Sequence, residues 1–587
     1  MLPKRIEIDI HDNKFRIKTA NDLSWLGFRA IRKQVEYSAE ICINNLLDLA
    51  QAAKRYDWQI DYTDAAKPIR TALLNEYKHI LEAHKFHTML DDEIDEEWDR
   101  QNLYEKIPLD NYQRRAILFG LHVKRCCLFL DMGLGKSGIG STIIQNLYDN
   151  NLIKRGSVLI VAPKTLHGEE NWAGELEKFS DLTMIQLRNN IGDINNPYAD
   201  CFIINADQFR VHCMNKKGEY IENNILEKKG FDCVLFDEAV LLRGHDSKLR
   251  NCFKELSKNL KYCFLMSGLP APNSVFQLWG LMSCIGNWLG DSYQTFEQRY
   301  GKSAVIKPAT ATTKSVSKYF PTGNAEQEIK ARIASVCIYM SSEQYLKLPP
   351  YYIGDAFDIE VEIHKDHAQI YKEIENEYIC IIKGKNGEKD KEIYTDNETA
   401  ARAKLLQILA GFVYHIDEFK NKTAIPLDWN PKLDAIVKQL RIDLEDPTSN
   451  VIIWTRFREE LRLIYDRLSQ DYICAYGQGG MTDKEQKEQM DLWLNNPECR
   501  ILVAHPGAFM YGHNWFKANF SYYTSPVDDN NQYSQSRKRN HRRGQTRFVI
   551  ERKFLLKLTL EKDIWTSIRR KIRLDRYLKG LPSLRSK

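Results

Sequence analysis

The stretch CCLFLDMGLGKSGI, residues 126–139, contains the features that decide the fold of this part of the chain. An apolar run ends at Leu130, a glycine-containing turn follows, and apolar residues at helical spacing begin after Ser137. This order of strand, turn and helix is typical of a loop that binds phosphate groups. The strict phosphate-loop pattern has a further glycine where Leu130 stands, so the shorter core GLGKS carries the prediction.

Four residues of this turn are candidate contacts for a nucleotide. Gly133 and Gly135 would let backbone N–H groups approach phosphate oxygens. Lys136 would reach the β- and γ-phosphates, and Ser137 would ligate Mg²⁺. The alternative, an ordinary glycine turn with a solvated lysine, is disfavoured by the apolar run that precedes it. The sequence therefore predicts a site for ATP and Mg²⁺ here.

A second candidate element is the run VLFDEA, residues 234–239, in which two carboxylates follow an apolar stretch. Asp237 would hold Mg²⁺, and Glu238 would orient and deprotonate the attacking water. Alone, such a pair is as often a polar strand end as a catalytic site. Its position about 100 residues after the phosphate loop favours the catalytic role.

A third element, QSRKRNHRRGQ at residues 535–545, is strongly basic. Arg539 and Arg542 are three residues apart, so on a helix they would share a face. Two arginines aimed at one site would stabilise the charge of a transferring phosphoryl group. Taken by itself, the run is more typical of a basic surface helix.

Apolar runs rich in β-branched residues recur on both sides of these elements. Five lie between residues 126 and 268, where they alternate with helix patterns, and four more lie between 450 and 526. This alternation predicts parallel sheets with crossover helices. The expected fold class is therefore α/β, with two parallel-sheet lobes, a helical insertion and a small N-terminal α+β domain.

The N-terminal domain is expected from a different pattern. Alternating apolar residues over 5–18 predict a β-hairpin, and helical spacing follows over 20–56. We expect this domain to end near residue 90. The acidic run 91–99 then predicts a solvated helix end or a linker.

These patterns divide the chain into four expected parts. They are an N-terminal accessory domain with the acidic linker (1–100), a first lobe with a helical protrusion (101–347), a linker segment with a second lobe (348–562) and a basic tail (563–587). Residues 566–587 contain eight basic residues and one acidic residue, and Gly580 would end a helix that docks by one apolar face. The tail would either contact phosphates or only keep the chain end solvated.

Composition excludes several classes of protein. The 587 residues are 43% hydrophobic and 28% charged, which excludes a disordered, collagen-like or disulfide-stapled chain. A net charge of +5 is too small to indicate a polyanion partner by itself. The 13 cysteines include no C-x-x-C pair and are expected to be reduced and buried. Apolar runs of membrane-spanning length and a signal-like N-terminus are absent, so a cytoplasmic protein is expected.

The order of these motifs resembles the Swi/Snf-type DNA translocases of helicase superfamily 2. The resemblance rests on GLGKS, VAPKTL with a following NW, FDEA, SGLP and the basic run 535–545, and it covers roughly residues 106–562. It implies two RecA-like lobes and a DNA-dependent ATPase that uses ATP and Mg²⁺. It also implies duplex or branched DNA as a sequence-independent partner. The segment Leu405–Tyr414 is similar to one in annealing-helicase-like and phage members, and the small domain set suggests a phage or prokaryotic origin.

The resemblance implies further contacts for ATP. Gln113 matches the adenine-reading element ahead of the phosphate loop. Gly512 lies in a motif near the interface of the lobes. Gln535 belongs with Arg539 and Arg542 to the final motif, which would act on ATP across the cleft.

Contacts with DNA are implied in the same way. Lys164 and Thr165 match a motif that touches DNA phosphates. Asn273 completes the element SGLP-x-x-N, which links hydrolysis to movement of the lobes.

Three positions depart from the family pattern. Val240 stands where histidine is usual after Asp-Glu-Ala, Leu269 where threonine is usual, and Lys538 where small residues are frequent. The resemblance implies that the first two side chains approach each other. A matched apolar pair avoids burying one unpaired polar group, which would cost about 1–3 kcal/mol. The replacement of the usual polar pair by Val240 and Leu269 affects the step that couples hydrolysis to movement of the lobes. The residues expected to carry out hydrolysis are all present.

Three functions fit these observations. The first is an ATP-driven motor on duplex DNA, which the resemblance favours. The second is a strand-separating or annealing helicase in DNA repair, recombination or replication. The third is a non-catalytic DNA-binding scaffold with a degenerate ATPase, against which the intact Lys136, Asp237 and Glu238 argue.

Overall fold

The computed structural model describes residues 5–581, apart from 13, 20–22, 24–28, 33–35, 41, 168–170, 189–190, 307–315, 378, 383–390, 395–397, 418–420, 508–514 and 528. By its contacts the chain divides into two compact units. The first comprises residues 1–345 and 578–580, and the second comprises 346–577 and 581–587. Each unit contains a parallel β-sheet of its own.

The first unit begins with a five-stranded sheet. Its elements are β1 (Arg5–His11), β2 (Lys14–Lys18), β3 (Arg29–Arg32), β4 (Glu36–Glu40), helix α1 (Ile43–Tyr56) and β5 (Gln59–Tyr62), in the strand order β3-β4-β2-β1-β5. The predicted hairpin is confirmed, since β1 and β2 pair antiparallel. The prediction of helix over 20–56 is wrong in its first half, where β3 and β4 lie. Tyr37 and Ala39 are buried at alternate positions of β4, which is the period of a strand.

Helices follow this sheet and lead to the phosphate-loop region. They are α2 (Ala66–Glu82), α3 (Lys85–Thr88), α4 (Asp91–Gln101) and α5 (Asn111–Val123). The acidic run, expected to be a solvated helix end or a linker, forms the whole helix α4, one face of which is buried. Ile94 and Trp98 are buried on one face of α4, and Asp95 accepts a 2.7 Å hydrogen bond from Arg114 on α5. Acidic residues in its first turn also suit the positive end of the helix dipole.

The central sheet of the first unit is parallel throughout. Its region contains β6 (Arg125–Leu130), β7 (Val158–Val161), β8 (Met184–Gln186), β9 (Cys201–Ile204), β10 (Cys233–Asp237), β11 (Tyr262–Met266), the hairpin β12 (Gly301–Ile306) and β13 (Val316–Pro321), and β14 (Cys337–Met340). The strand order is β14-β6-β11-β10-β7-β9-β8. The five predicted runs are confirmed as β6, β7, β9, β10 and β11. The short edge strands β8 and β14 have no counterpart among the predicted runs.

Helices, several of them crossovers, accompany these strands. Those among the described residues are α6 (Lys136–Asp149), α7 (Trp172–Phe179), α8 (Ala206–Cys213), α9 (Ile225–Lys229), α10 (Lys248–Ser257), α11 (Leu278–Ile285), α12 (Tyr293–Tyr300), α13 (Ala325–Ile333) and α14 (Ser342–Tyr345). The insertion after residue 274 is helical, as expected, but it also contains the hairpin β12–β13.

The second unit contains another parallel sheet and two hairpins. Its strands are β15 (Tyr351–Tyr352), β16 (Ile359–Val361), β17 (Ile379–Ile382), β18 (Lys391–Tyr394), β19 (Phe412–Ile416), β20 (Lys422–Pro426), β21 (Val451–Trp454), β22 (Cys474–Gly477), β23 (Ile501–Ala504), β24 (Phe520–Tyr523) and β25 (Val549–Leu556). The sheet order is β15-β25-β24-β21-β23-β22, with β16 also on β25. The four predicted runs are confirmed as β21 to β24.

Helices complete this unit, and those among its described residues are α15 (Lys365–Glu377), α16 (Glu398–Leu409), α17 (Pro431–Asp443), α18 (Arg458–Leu468), α19 (Asp483–Asn495), α20 (Asn530–Asn540) and α21 (Glu561–Leu578). The tail helix predicted before Gly580 is α21, and its apolar residues Ile564, Trp565, Ile568 and Ile572 are buried in the core of the second unit.

The expected α/β class with two parallel-sheet, RecA-like lobes is thus confirmed. All 13 cysteines are free thiols, and all but the half-buried Cys42 are buried. Within the described part of the chain, no helix combines the length and apolar character that crossing a membrane requires.

Candidate nucleotide-binding and catalytic site

The register of the first unit's sheet brings the phosphate loop and the acidic pair to one edge. Asp237 pairs with Met266 on β11, and Met266 pairs with Leu128 on β6. The phosphate loop leaves β6 two residues after Leu128. Because all three strands are parallel, their carboxyl ends share an edge, which is where α/β sheets bind ligands.

The phosphate loop has the backbone that its glycines permit. Gly133 and Gly135 have φ angles of 84° and 76°, in the left-handed region that glycine adopts without strain. Gly135 is the N-cap of α6, so Lys136 and Ser137 occupy the first turn of that helix. A Cβ atom on Gly135 would lie 2.6 Å from Gln113 Nε2. The loop therefore places the N–H groups and positive dipole end of α6 at its centre.

The side chain of Lys136 is directed at the loop itself. Its Nζ donates hydrogen bonds to the carbonyl oxygens of Leu130 and Asp131, at 3.2 and 3.4 Å. Its positive charge also acts on Asp237, because it opposes the rise in pKa that burial causes at that carboxyl. The structure thus brings Lys136 and Asp237 into one electrostatic site.

Gln113 connects α5 to the phosphate loop. Its Oε1 accepts from the backbone N–H of Asp110 at 3.0 Å and closes a capping box at the start of α5. Its Nε2 donates to the carbonyl of Leu134 at 3.4 Å. The side chain is buried, so it holds the loop in addition to the adenine-reading role that remains a prediction.

Asp237 is a buried carboxylate held by two donors. The indole Nε1 of Trp172 donates to its Oδ2 at 2.9 Å, and the backbone N–H of Glu238 donates to its Oδ1 at 2.9 Å. Burial raises the pKa of Asp237, while Lys136 and the Trp172 hydrogen bond oppose that shift. The sequence assigns no role to Trp172, although this residue lies in the NW motif. Its link to Asp237 spans 65 residues, and no local pattern signals it.

Glu238 has an unusual backbone conformation. Its φ of 60° and ψ of 50° lie in the left-handed region, which residues with a Cβ atom seldom adopt. The side chain is buried, and the residue begins the short 3-10 helix Ala239–Leu242. Such outliers persist where the surrounding structure enforces them, often at functional sites.

Asp131 and Lys579 form a buried ion pair in the first unit. Lys579 Nζ donates to Asp131 Oδ1 at 2.6 Å, and both side chains are about 95% buried. Asp131 Oδ2 accepts from the backbone N–H and the hydroxyl of Ser342. The sequence predicts Lys579 only as one of the tail's basic residues. It instead holds the first residue of the phosphate loop.

The predicted DNA-contacting residues lie directly after β7 and in the segment after β11. Lys164 begins the 3-10 helix Lys164–Leu166 after β7 and is exposed, and Thr165 follows it in the same helix. Asn273 is also exposed, and its backbone N–H donates to Gln277 at 3.0 Å. All three follow strands of the sheet that carries the phosphate loop. Contact with DNA remains a prediction.

The predicted arginine pair lies in the second unit. Arg539 and Gln535 are buried in α20, which ends at Asn540. Arg542 lies beyond that end, so the argument from a shared helical face is wrong. Groups outside the helix satisfy its last carbonyls. The backbone N–H of Trp515 donates to the carbonyl of Arg539, and the side-chain amide of Gln545 donates to the carbonyl of Asn540.

A buried charge network supports α20 from β25. Glu551 is fully buried and accepts from Tyr533 and Tyr351, and it pairs with Arg537 at 3.3 Å and Lys553 at 3.0 Å. Arg537 therefore has a structural role in the basic run. Burial alone would raise the pKa of Glu551, but neighbouring cations and hydroxyls hold that pKa below its usual range.

The structure describes Val240 and Leu269 but not Gly512. Val240 and Leu269 are both buried, at 0% and 6% exposure. Their mutual contact remains a prediction. Gly512 lies outside the described residues.

Comparison with known proteins places this chain in a family. The sequence model of the SNF2-related domain matches residues 51–409, more than half of the chain. Protein p41 of Acyrthosiphon pisum secondary endosymbiont phage 1 is 24% identical over 69% of this chain and 82% of its own length. ATP-dependent helicase FUN30 of Saccharomyces cerevisiae is 23% identical over 81% of this chain but only 47% of its own length. A solved structure of the Sulfolobus solfataricus SWI2/SNF2 ATPase core with dsDNA is 19% identical, with a TM-score of 0.36, and the match covers 81% of this chain and 94% of that one.

The chain therefore belongs to the SNF2 family, whose members are DNA-dependent ATPases. The predictions of the family and of the enzyme class are confirmed. ATP use follows at the level of the family. The roles of all the predicted site residues remain predictions, and Gln535, Arg539 and Arg542 also lie beyond the family match, which ends at residue 409.

Proposed function

We propose that this chain is an ATP-driven motor that moves along duplex DNA through sequence-independent contacts. The observation that carries the proposal is the shared edge of β6 and β10. There a glycine loop with Lys136 lies beside the buried Asp237 and Glu238. A phosphate loop beside a buried carboxylate pair is typical of the active site of a nucleotide hydrolase.

The residues at this edge fit a nucleoside triphosphate and its divalent cation. The N-terminus of α6 offers backbone donors, and Lys136 adds an ammonium group, which together suit phosphate oxygens. The hydroxyl of Ser137 and the carboxylate of Asp237 are hard oxygen ligands of the kind that Mg²⁺ prefers. When bound there, Mg²⁺ would neutralise charge that develops on the phosphate oxygens.

Different side chains of the protein would then have separate roles in ATP hydrolysis. Lys136 would bind the β- and γ-phosphates, and Asp237 would keep its position through the indole of Trp172. Glu238 would orient a water molecule and accept its proton at a carboxylate oxygen. General-base assistance of this kind is typically worth about 10²–10⁴-fold. Arg539 and Arg542 would stabilise charge on the transferred phosphoryl group.

Contact with DNA would use the backbone of the duplex. Lys164 and Asn273 are exposed and follow strands that end at the nucleotide edge. Contacts to phosphates position a protein without reading sequence, as a translocating motor requires. Membership of the family and the name of one relative, an ATP-dependent helicase, support DNA as the partner. A relative encoded by a phage supports a phage-infected or prokaryotic cell as the setting. Work in the cytoplasm, in repair, recombination or replication, is part of the proposal.

One experiment measures the rate of ATP hydrolysis without DNA and with single-stranded, duplex or forked DNA. A second measures whether the protein displaces the third strand of a DNA triplex. The motor proposal predicts stimulation by duplex DNA and triplex displacement that needs ATP. Hydrolysis without triplex displacement would contradict translocation. Absence of hydrolysis would favour the scaffold alternative.

The helicase alternative rests on the segment Leu405–Tyr414. In the structure this segment is the end of α16 and the start of β19, and Leu405, Ile408, Leu409 and Val413 belong to one apolar core. Packing is therefore a sufficient reason for its apolar character. Separation or annealing of strands in a forked-DNA assay distinguishes this alternative from a motor that leaves the duplex intact.

A further inference from the structure

Two histidines and a glutamate meet between helices α2 and α5, outside the nucleotide site. His79 and Glu82 lie three residues apart near the end of α2, so they share a face of that helix. His122 lies in the last turn of α5. A ring nitrogen of each histidine and a carboxylate oxygen of Glu82 all lie within 4.8 Å of one another. At that spacing, small side-chain rotations would bring the three ligand atoms to one small cation, which binds such atoms at about 2.0–2.2 Å.

Reciprocal contacts fix the two imidazole rings. His79 Nε2 lies 3.1 Å from the backbone carbonyl of His122, and His122 Nε2 lies 2.8 Å from the backbone carbonyl of His79. A carbonyl accepts only from a protonated nitrogen, so each Nε2 carries its hydrogen. In a neutral ring the Nδ1 atom then keeps its lone pair. Metal-binding histidines show this arrangement, in which one nitrogen donates to a carbonyl and the other ligates.

Aromatic packing holds the two imidazole rings beside Glu82. The rings are stacked with centroids 4.0 Å apart, and the edge of Phe86 packs against His122. The side chain of Glu82 is exposed. No hydrogen bond engages its carboxylate among the described residues, so it is available to a cation.

We propose that His79, Glu82 and His122 bind one divalent transition-metal ion, with Zn²⁺ as the best candidate. Two imidazoles and a carboxylate form a ligand set that Zn²⁺ accepts, with water in the fourth position. The ion would join α2 to α5, the helix whose Gln113 holds the phosphate loop. The proposal does not depend on the motor function, because the cluster lies apart from the residues that would bind ATP.

Titration of the full chain, without a histidine tag, tests the site. Calorimetry with ZnCl₂ should show one equivalent bound, and thermal unfolding should shift upward with Zn²⁺. Glu82→Gln and His79→Gln should each weaken binding by at least roughly tenfold, since loss of even an outer-shell partner costs about 10–100-fold. His122 packs on Phe86, so its substitution risks the fold and is not needed. Matched controls are Glu76→Gln, exposed on the same helix, and His212→Ala on α8, which should bind as the wild type does.

Spectroscopy gives a second measurement. CoCl₂ in place of ZnCl₂ should produce visible bands of a site with nitrogen and oxygen ligands, lost in the two cluster variants. Strong near-ultraviolet absorption from thiolate ligands would show that cysteines hold the metal and would overturn the proposal. So would the absence of saturable one-equivalent binding, or equal affinity in wild type and both variants.

Discussion

The indole N–H of Trp172 donates a 2.9 Å hydrogen bond to Oδ2 of Asp237, and both side chains are buried. A glycine makes this arrangement possible. A Cβ atom on Gly140 of α6 would lie 2.9 Å from Cη2 of Trp172, so only glycine lets the ring pass at this distance. The phosphate-loop helix and the candidate metal-binding carboxylate are therefore positioned by the same tryptophan.

Replacement of Trp172 tests this relationship. Trp172→Phe keeps an aromatic ring but removes the donor to Asp237. A hydrogen bond to a charged group is worth about 1.5–3 kcal/mol, so ATP hydrolysis should fall roughly 10–100-fold if Asp237 acts in catalysis. Steady-state kinetics at varied Mg²⁺ concentration measure the effect. Trp279→Phe is the matched control, because that indole donates to the carbonyl of Gly290 instead. Equal losses in both variants would indicate damage to packing only.

Burial of Asp237 predicts a pH-dependent effect on stability. Burial raises its pKa in the fold above the usual 3.8, so the ionised form destabilises the folded state. This cost is absent below about pH 3.8, grows as pH rises, and is complete above the folded-state pKa. Asp237→Asn should therefore raise the free energy of unfolding at pH 7 more than at pH 4, because asparagine has no charge to bury, while hydrolysis is lost. Denaturant titrations at both pH values check this. A free energy of unfolding at pH 7 that is lower for Asp237→Asn than for the wild type would contradict this prediction.

Substitution of the arginine pair in the second unit distinguishes two roles of the basic run, which are action on the phosphoryl group of ATP and binding of DNA phosphates. Arg539→Ala and Arg542→Ala should each reduce ATP turnover by about 10³-fold or more if they act on the phosphoryl group. DNA affinity should change little. Arg543→Ala is the control, since this neighbour is exposed. Loss of DNA affinity with unchanged DNA-free hydrolysis would mean that the run binds phosphates of DNA.

Contact between the basic tail and DNA has to be tested by point substitutions and not by deletion of the tail. Deletion of 566–587 would remove the buried Ile568 and Ile572, so loss of binding could reflect loss of the core alone. Arg570 and Arg573 are exposed on α21, and neutralising each should flatten the slope of log affinity against log salt by about 0.9 if it contacts duplex DNA. Arg569→Gln is the control, because Asp355 already pairs with that guanidinium. An unchanged slope in Arg570→Gln/Arg573→Gln would show that the tail does not touch DNA.

The sequence predicts the parts of this molecule whose signals are local. Strands β6, β7 and β10 are uninterrupted apolar runs, and the turn GLGKS follows one of them directly. Strand β25 escapes prediction because Glu551, Arg552 and Lys553 interrupt its apolar pattern. Two of these charges are buried in ion pairs, which only the tertiary structure reveals.

The site is predictable to a similar extent. Lys136, Asp237 and Glu238 come together as expected because parallel strands share an edge. The partners Trp172 and Lys579 lie far away in sequence, so no spacing rule could find them. Arg542 does not continue the helix of Arg539, since a turn held by Gln545 replaces the next helical turn.

The nucleotide site and its response to DNA are tested together by the rate of ATP hydrolysis of the wild-type chain and of Lys136→Ala, with and without duplex DNA. We expect the wild type to hydrolyse ATP and duplex DNA to stimulate it. Lys136→Ala should lose this activity while it keeps the wild-type circular dichroism spectrum and unfolding transition, because only the cation of the phosphate loop is removed. Equal turnover in the two proteins, or a wild-type rate that duplex DNA leaves unchanged, would contradict the account.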